Sequence, residues 1–481
     1  MLAYLGPGRF LSEAVEGINR EFIPKGASLL WILSLGVTLV VTWVWAIRLR
    51  AASSKTATAT ATPTAIASGR RRFLVGAVST LGGLVGTTLS TLIRPSGWIT
   101  VTGPAIAPSV PTAAPKPRTG WLGARVQAYR RLGRTGARVS DISLGSGRIR
   151  GEDGERLARE AIERGVNYFD TSPDYSAEGS ELALGRAMKG RRDQMFVATK
   201  FCTPHGHLRQ GASVGDYVRV VEESLRRLQT DRVDLVHIHS CDSVERLLDP
   251  NAHEAFDRLK EQGKARFLGV STHTPKLEQI ANAAIESGRF DVMMLAYHHG
   301  AWPELGAIID RAADQDVAIV GMKTLKGAKH RGLLEFRPQA DSYTQAAFKW
   351  VLGNPNVSCL VISFFEPQHL DEYLFASGKT LTDADLAVLR RYDELIAGKH
   401  CFPHCGACLE ACPEHLAIHD ILRHRMYFED YKWEKEAIRQ YAALDKQADV
   451  CIGCSAPCAG ACPYEVPIQE STIETHRLLT V

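Results

Sequence analysis

At 481 residues the chain is too long for one ordinary domain, and 45% hydrophobic with 23% charged residues excludes a wholly disordered protein. A formal net charge of +4, spread thinly along the chain, excludes a strongly basic nucleic-acid surface, so no nucleic-acid partner is expected. Cysteine usage is uneven: eight of the 11 lie between positions 401 and 462. The other three, Cys202, Cys241 and Cys359, sit in apolar stretches and read as buried structural thiols.

Residues 1–93 read as a membrane and export region. Ala27–Ile47 carries no charge and is long enough to cross the ~30 Å apolar slab of a bilayer as a helix. Trp43 and Trp45, followed by Arg48 and Arg50, supply an interfacial anchor with a positive flank. A buried soluble helix is the alternative. Arg70-Arg71-Arg72-Phe73-Leu74 then opens a milder apolar stretch reaching Ile93. It resembles a twin-arginine export signal with Arg70 and Arg71 as the pair. Lys and Arg crowd the loop between the two apolar stretches. The positive-inside rule therefore keeps that loop cytoplasmic and places everything after Ile93 on the extracytoplasmic, periplasmic side. Ala105-Ile106-Ala107 has the form of a cleavage site, which Pro108 opposes. Residues 94–120 hold six prolines (Pro95, Pro104, Pro108, Pro111, Pro115, Pro117) and read as an extended linker.

Over 121–398, short β-branched runs alternate with helical patterns. The expected strands are Asp141–Leu144, Asn167–Phe169, Met195–Thr199, Val233–Ile238, Ala265–Val270, Asp291–Leu295, Val317–Met322 and Val357–Ile362. Segments of helical periodicity follow them, such as Tyr217–Leu228 and Pro275–Ser287. The fold class is α/β: such repeats fit a (β/α)8 TIM barrel, with a doubly wound open sheet as the alternative on pattern alone. In a barrel, chemistry sits where strands end at the C-terminal face. The residues there are Asp170 after the second strand, Lys200 after the third and His239 after the fourth, with Tyr175 in the loop beyond Asp170.

Those four residues, in that order on those strand ends, resemble the tetrad of the aldo-keto reductases. Leu132-Gly-Arg-Thr-Gly136, Ser180-Glu181, Leu184-Gly185 and Gly269-Val-Ser271 agree with the same family over roughly 125–395. Reduction of a carbonyl delivers hydride to carbon and needs a proton at the developing alkoxide. A tyrosine hydroxyl can give it, although its ordinary pKa near 10 makes it a slow donor at neutral pH. A nearby ammonium lowers that pKa, and a carboxylate holds the ammonium charged and in place. Tyr175 is thus the expected acid, Lys200 and Asp170 its tuning pair, and His239 the group orienting the substrate oxygen. The resemblance implies a small carbonyl or alcohol substrate and NADP(H), with Gly145, Ser146, Ser271 and Thr272 as cofactor-binding candidates. The family pattern departs at the nucleotide: Thr272 stands where Asn is usual, Met294 where Gln is expected, and Met322 in place of an aromatic. After the eighth strand, Ser363-Phe-Phe-Glu366-Pro367 replaces a Gly-rich or basic phosphate loop, and Glu366 repels a 2′-phosphate.

Residues 399–481 carry two quartets, Cys401, Cys405, Cys408, Cys412-Pro413 and Cys451, Cys454, Cys458, Cys462-Pro463. Both close with x3-Cys-Pro, as two-cluster bacterial ferredoxins do, each with one inserted residue. Four thiolates per quartet match one [4Fe–4S] cube, so two clusters are expected. Zinc is the main competitor, but its ribbons use paired C-x2-C knuckles. In ferredoxins the fourth cysteine of each motif serves the other cluster. That resemblance implies Cys401, Cys405 and Cys408 with Cys462, and Cys451, Cys454 and Cys458 with Cys412. Leu416, Ile418, Ile421 and Leu422 fall at helical spacing, so Pro413–Val450 reads as helix and the domain as mainly helical and ferredoxin-like.

The leading expectation is an exported, membrane-tethered oxidoreductase whose clusters pass electrons between the barrel and a membrane redox partner or soluble electron carrier. A non-catalytic electron-transfer or structural subunit of a membrane complex is the second reading, since fold does not dictate function. A cytoplasmic NADPH-dependent carbonyl reductase is the third.

Overall fold

A computed structural model of the chain describes residues 118–480, apart from 302, 327–341, 365, 404 and 430–433. The chain divides into two units, Met1–Pro108 and Ser109–Val481, and every described residue belongs to the second. Ala27–Ile47, the Arg70-Arg71 pair and nearly all of the proline-rich linker therefore lie outside the described residues. Among those described, no helix is long and apolar enough to cross a membrane.

Eight parallel strands close into a barrel: β1 (Ile142–Gly145), β2 (Tyr168–Asp170), β3 (Phe196–Lys200), β4 (Val233–Ile238), β5 (Ala265–Thr272), β6 (Val292–Ala296), β7 (Ala318–Met322) and β8 (Val357–Ser363). They pair in sequence order, and β8 returns to β1 with Leu360 opposite Ile142. Closure decides for the barrel over the open sheet. All eight expected strands form, with ends shifted by a residue or two. They were legible because strands covered on both faces read as continuous apolar runs.

Each strand leads to a helix: α1 (Gly151–Glu163), α2 (Gly179–Met188), α3 (Val214–Leu228), α4 (Pro250–Glu261), α5 (Leu277–Ser287), α6 (Pro303–Asp314), α7 (Tyr343–Leu352) and α8 (Pro367–Leu374). Their start signals are local: the Ser213 hydroxyl accepts from the Asp216 N–H to cap α3, and Ser342 does the same for α7. At the α2–α3 contact, Gly185 lies so close to the end of α3 that a Cβ would stand 2.7 Å from the Arg227 carbonyl oxygen. Alternate strand residues face inward, and Tyr168, Phe196, Leu235, Met294, Val320 and Cys359 fill the barrel interior. A hairpin, Tyr129–Arg131 with Arg138–Ser140, closes the bottom, where Leu132 and Val139 join the same cluster. The larger apolar cluster lies between strands and helices. The interior is thus packed, and only the C-terminal rim is free for chemistry.

After the barrel, α9 (Asp383–Ile396) is tied to α7 by Lys349, whose ammonium lies 3.1 Å from both Asp385 oxygens. The remaining chain packs α10 (Ile418–Glu429), α11 (Glu434–Ala442) and α12 (Ile468–Leu479) around Leu416, Ile421, Tyr441, Ala448 and Val466. The stretch between the cysteine groups, read as helix, holds two helices among the described residues, α10 and α11. Three contacts seat this part over the barrel rim. Arg423 on α10 donates to His273 Nδ1 at 2.7 Å, Gly406 lies against Pro275, and Lys326 stands 4.8 Å over the Phe402 ring. His273 and Pro275 follow β5, and Lys326 follows β7, so the cysteine-bearing part covers the C-terminal face.

Candidate active site

Asp170, Lys200 and His239 come off the inward faces of β2, β3 and β4 at that face. The Lys200 ammonium spends all three protons: 2.8 Å to each Asp170 oxygen and 2.7 Å to the Thr171 carbonyl. Both partners are buried. Burial pushes the Asp170 carboxyl up, and the Lys200 charge opposes it. The ammonium also stands 4.5 Å over the centroid of the Tyr175 ring, a cation–π contact. Tyr175 is presented by a bent loop in which Ser176, Ala177 and Glu178 are all left-handed, with φ of 53°, 49° and 69°. Such residues are costly for side chains with a Cβ and collect at functional loops. Its ring meets His239 edge-on, with centroids 6.0 Å apart.

The phenol departs from expectation. Burial pushes its pKa well above 10, and the Asp170 and Asp174 carboxylates push in the same direction. The three Lys200 protons go to Asp170 and Thr171, and burial together with the two carboxylates outweighs the ammonium at the phenol. Tyr175 is therefore a neutral phenol, able to donate a proton but not to rest as tyrosinate. The His239 imidazole is held well below its ordinary pKa by burial first and His207 second, and is neutral as well. Arg246 donates to the His239 carbonyl at 2.6 Å and fixes its backbone.

The cofactor candidates fare unevenly. Gly145 ends β1, opposite Asp170 of β2 and Ser363 of β8. The Ser146 hydroxyl is taken up, donating to the Asp170 carbonyl at 2.8 Å and lying 2.5 Å from Ser180 Oγ. Thr272 Oγ1 donates to the Cys241 carbonyl at 2.8 Å, and Ser271 Oγ accepts from the Ser240 N–H at 3.0 Å. Met294 is buried in the barrel interior and Met322 packs against that cluster, so neither offers a polar grip. Glu366 is the N-cap of α8, its carboxylate accepting from the His369 backbone. A carboxylate there occupies the helix end that a phosphate would otherwise take. Three of the four cofactor candidates thus serve the protein's own hydrogen bonds.

Four functional candidates were not expected: Asp174, His207, His273 and Arg246. Cys202, read as a structural thiol, is buried but lies at this site. Cys202–Thr203 and Gly206–His207 form a two-stranded hairpin after β3 that brings His207 beside His239, ring centroids 4.4 Å apart. The only sequence signal was two histidines and a cysteine just past Lys200.

The eight C-terminal cysteines gather around two small cavities. One is lined by Cys401, Cys405, Cys408 and Cys462, the other by Cys412, Cys451, Cys454 and Cys458. This is the crossed grouping. No two of these cysteines are joined in a disulfide. The two closing segments repeat each other: His415 and Glu465, each third after its Cys-Pro cysteine, are left-handed, and a helix starts at Ile418 and Ile468. Backbone N–H groups approach sulfur at 3.4 Å, Val466 to Cys462 and Ala456 to Cys454. Burial, then neighbouring thiols, push Cys401 up to about 12 and Cys408 to about 11. Thiols so crowded ionise together only around a cation. Four sulfurs and amide donors in each cavity fit a metal centre, and the Cys401 cavity is the one beside Arg423 and the barrel.

Comparison with known proteins places these observations. L-galactose dehydrogenase of Arabidopsis thaliana is 26% identical over 282 residues, covering 51% of this chain and 87% of that protein. 6-dehydroglucose reductase of Novosphingobium aromaticivorans is 28% identical over 266 residues, covering 47% and 83%. Among solved structures, an aldo-keto reductase from Bacillus halodurans is 22% identical with a TM-score of 0.47, covering 56% of this chain and 96% of that one. The profile of the Aldo/keto reductase family matches residues 141–394, more than half of the chain. With the closed eight-stranded barrel, that match makes the chain a member of the aldo/keto reductase family and an oxidoreductase.

Proposed function

We propose that the protein interconverts a sugar-like carbonyl and its alcohol in the barrel: the carbon-bound hydrogen moves as hydride to or from a bound organic two-electron carrier, which would exchange those two electrons one at a time with two [4Fe–4S] clusters held by the crossed cysteine sets. The observation that carries this reading is the meeting of two sites: the Asp170–Tyr175–Lys200–His239 rim lies directly under the cysteine-bearing part, joined by Arg423 to His273. The substrate class follows the relatives, two of which are named for sugar derivatives. Tyr175 gives the proton to the oxygen of the carbonyl being reduced, His239 orients that oxygen, and the buried Lys200–Asp170 pair holds the phenol in place. Each cluster supplies one-electron chemistry when bound, so two of them match a two-electron reaction. Arg423 of α10 links the two sites: its charge acts on the Cys401 thiol while its guanidinium bonds His273.

NADP(H), the usual nucleotide of the family, is the second reading for the hydride partner. The occupied hydroxyls of Ser146 and Thr272 and the Glu366 cap count against it. The placement we propose is membrane-tethered and extracytoplasmic, resting on Ala27–Ile47, the Arg70-Arg71 pair and the charges between the apolar stretches. The partner there is a membrane or soluble electron carrier.

Protein purified without oxygen is expected to be brown, with about eight iron and about eight labile sulfide per chain. Zinc in both cavities and no iron would overturn the relay. For placement, a reporter active only outside the cytoplasm, fused after Val481, is expected to be active and to fall silent when Arg70 and Arg71 are changed to Lys. Unchanged activity of that double variant refutes the export signal.

A further inference from the structure

The hairpin after β3 does more than lengthen a loop. Its register sets Cys202 directly opposite His207, with Thr203 opposite Gly206 across a two-residue turn. Cross-strand partners project from the same face, so both side chains arrive together. Asp174, from the loop after β2, and His239, from the end of β4, meet them. One ligand atom from each of the four, a carboxylate oxygen, a sulfur and two imidazole nitrogens, lie within 4.8 Å of one another. His207 Nδ1 is 3.9 Å from Cys202 Sγ, and His239 Nδ1 is 3.9 Å from Asp174 Oδ2. Three chain segments thus converge on one point.

One of these donors, and the second oxygen of the Asp174 carboxylate, lack what burial demands. His239 Nδ1 and Asp174 Oδ1 are shielded from solvent and have no hydrogen-bond partner, and His239 as a whole is 9% exposed. Buried polar atoms without partners are rare in folded proteins, and a bound ion is one of the standard explanations. The donor set decides which ion. One thiolate, two imidazoles and one carboxylate make a borderline set that suits zinc, whose bonds to such atoms run from about 2.0 to about 2.3 Å. Tetrahedral bonds of that length put the donors about 3.3 to 3.6 Å apart. The two 3.9 Å pairs must contract by about 0.3–0.6 Å, and the widest pair, at up to 4.8 Å, by more than about 1 Å, as side chains swing onto the ion. His207 lies on the exposed side of the hairpin, which leaves a path from the solvent.

We propose that Asp174, Cys202, His207 and His239 bind one zinc ion at the mouth of the barrel. The ion lies beside the Tyr175 ring, on the side where His239 faces it. Four protein donors close a tetrahedral site, so the ion does not bind substrate; it holds His239 and the loop that carries Tyr175 in place. That positioning role rests on the pocket being the oxidoreductase centre; the binding of the ion does not.

The test is metal counting on the full chain, purified anaerobically and freed of loosely bound metal, for the parent, Cys202→Ser, His207→Gln and Tyr175→Phe. The parent is expected to hold one zinc, and both ligand variants to lose it while iron and sulfide stay at the parental level. His207→Gln lies on the exposed hairpin and keeps the fold if Cys202→Ser does not. Cobalt added to zinc-depleted parent is expected to give a sulfur-to-metal absorption band that His207→Gln abolishes. Equal zinc in the parent and His207→Gln, with no such band, overturns the site. Tyr175→Phe is expected to keep the zinc while losing turnover, so retained turnover would fail the reading of the pocket without touching the ion.

Discussion

The Lys200–Asp170 pair offers the sharpest energetic test of the barrel rim. Its side chains are 1% and 3% exposed, and three hydrogen bonds of 2.7–2.8 Å use every ammonium proton. Lys200→Met leaves the Asp170 carboxyl buried with no counter-charge and the Thr171 carbonyl without its donor. Breaking one side of such a pair costs about 3–5 kcal/mol. In a barrel of this size each kcal/mol moves the unfolding midpoint by roughly 2–4 °C, so the variant is expected to melt roughly 6–20 °C below the parent. Asp170→Asn strands the ammonium and is expected to fall in the same range. The double variant Lys200→Met/Asp170→Leu removes both charges and is expected to lose less than the sum of the singles, since the penalty is mainly an unpaired buried charge. The assay is thermal unfolding by circular dichroism on the iron-loaded chain at neutral pH. Single variants that each lose less than ~1 kcal/mol, or a strictly additive double, would refute the reasoning.

Other outcomes follow from particular groups. The double variant Cys401→Ser/Cys462→Ser strikes one cavity and is expected to lose about four iron, whereas Cys401→Ser/Cys412→Ser strikes both and is expected to lose about eight; the reverse pattern means uncrossed quartets. His298 is buried and held down to about 4, so the unfolded chain takes up its proton near pH 6.5 while the folded chain does not. Its contribution is intact above pH ~6.5 and is lost as pH falls below it, by about 1.4 kcal/mol per unit. His298→Asn is expected to flatten the acid limb of stability between pH ~4 and ~6.5, and an unchanged limb contradicts this. Arg423→Met removes a charge-assisted bond worth roughly 1.5–3 kcal/mol; iron content is expected to hold while amide exchange around His273 and Thr274 quickens.

How far the chain could be read without coordinates varies with the kind of signal. The barrel strands stood out as apolar runs, and strand-end positions drew attention to Asp170, Lys200 and His239 because barrels do chemistry there. The hairpin cluster did not stand out. Cys202 and His207 become neighbours only through backbone pairing across a two-residue turn, and nothing in the spacing distinguishes that from an ordinary loop. A Lys200 ammonium beside Tyr175 implies a lowered phenol; burial and the Asp170 and Asp174 carboxylates push it up instead, and only the geometry reveals that. Glu366 was read as hostile to a phosphate through its charge; its position as the α8 cap adds that the helix end is already satisfied.

The central claim is that electrons from a substrate in the barrel reach the cysteine-held clusters. Rapid anaerobic mixing of the oxidised, iron-loaded chain with a panel of aldoses and polyols, L-galactose included, tests it by following the loss of cluster absorbance. The parent is expected to bleach with at least one of them, and Tyr175→Phe to bleach more slowly by about 10²–10⁴-fold, the usual contribution of a positioned proton-transfer group. Equal bleaching in both proteins, or none with any of them while NADPH-dependent reduction proceeds, would contradict it.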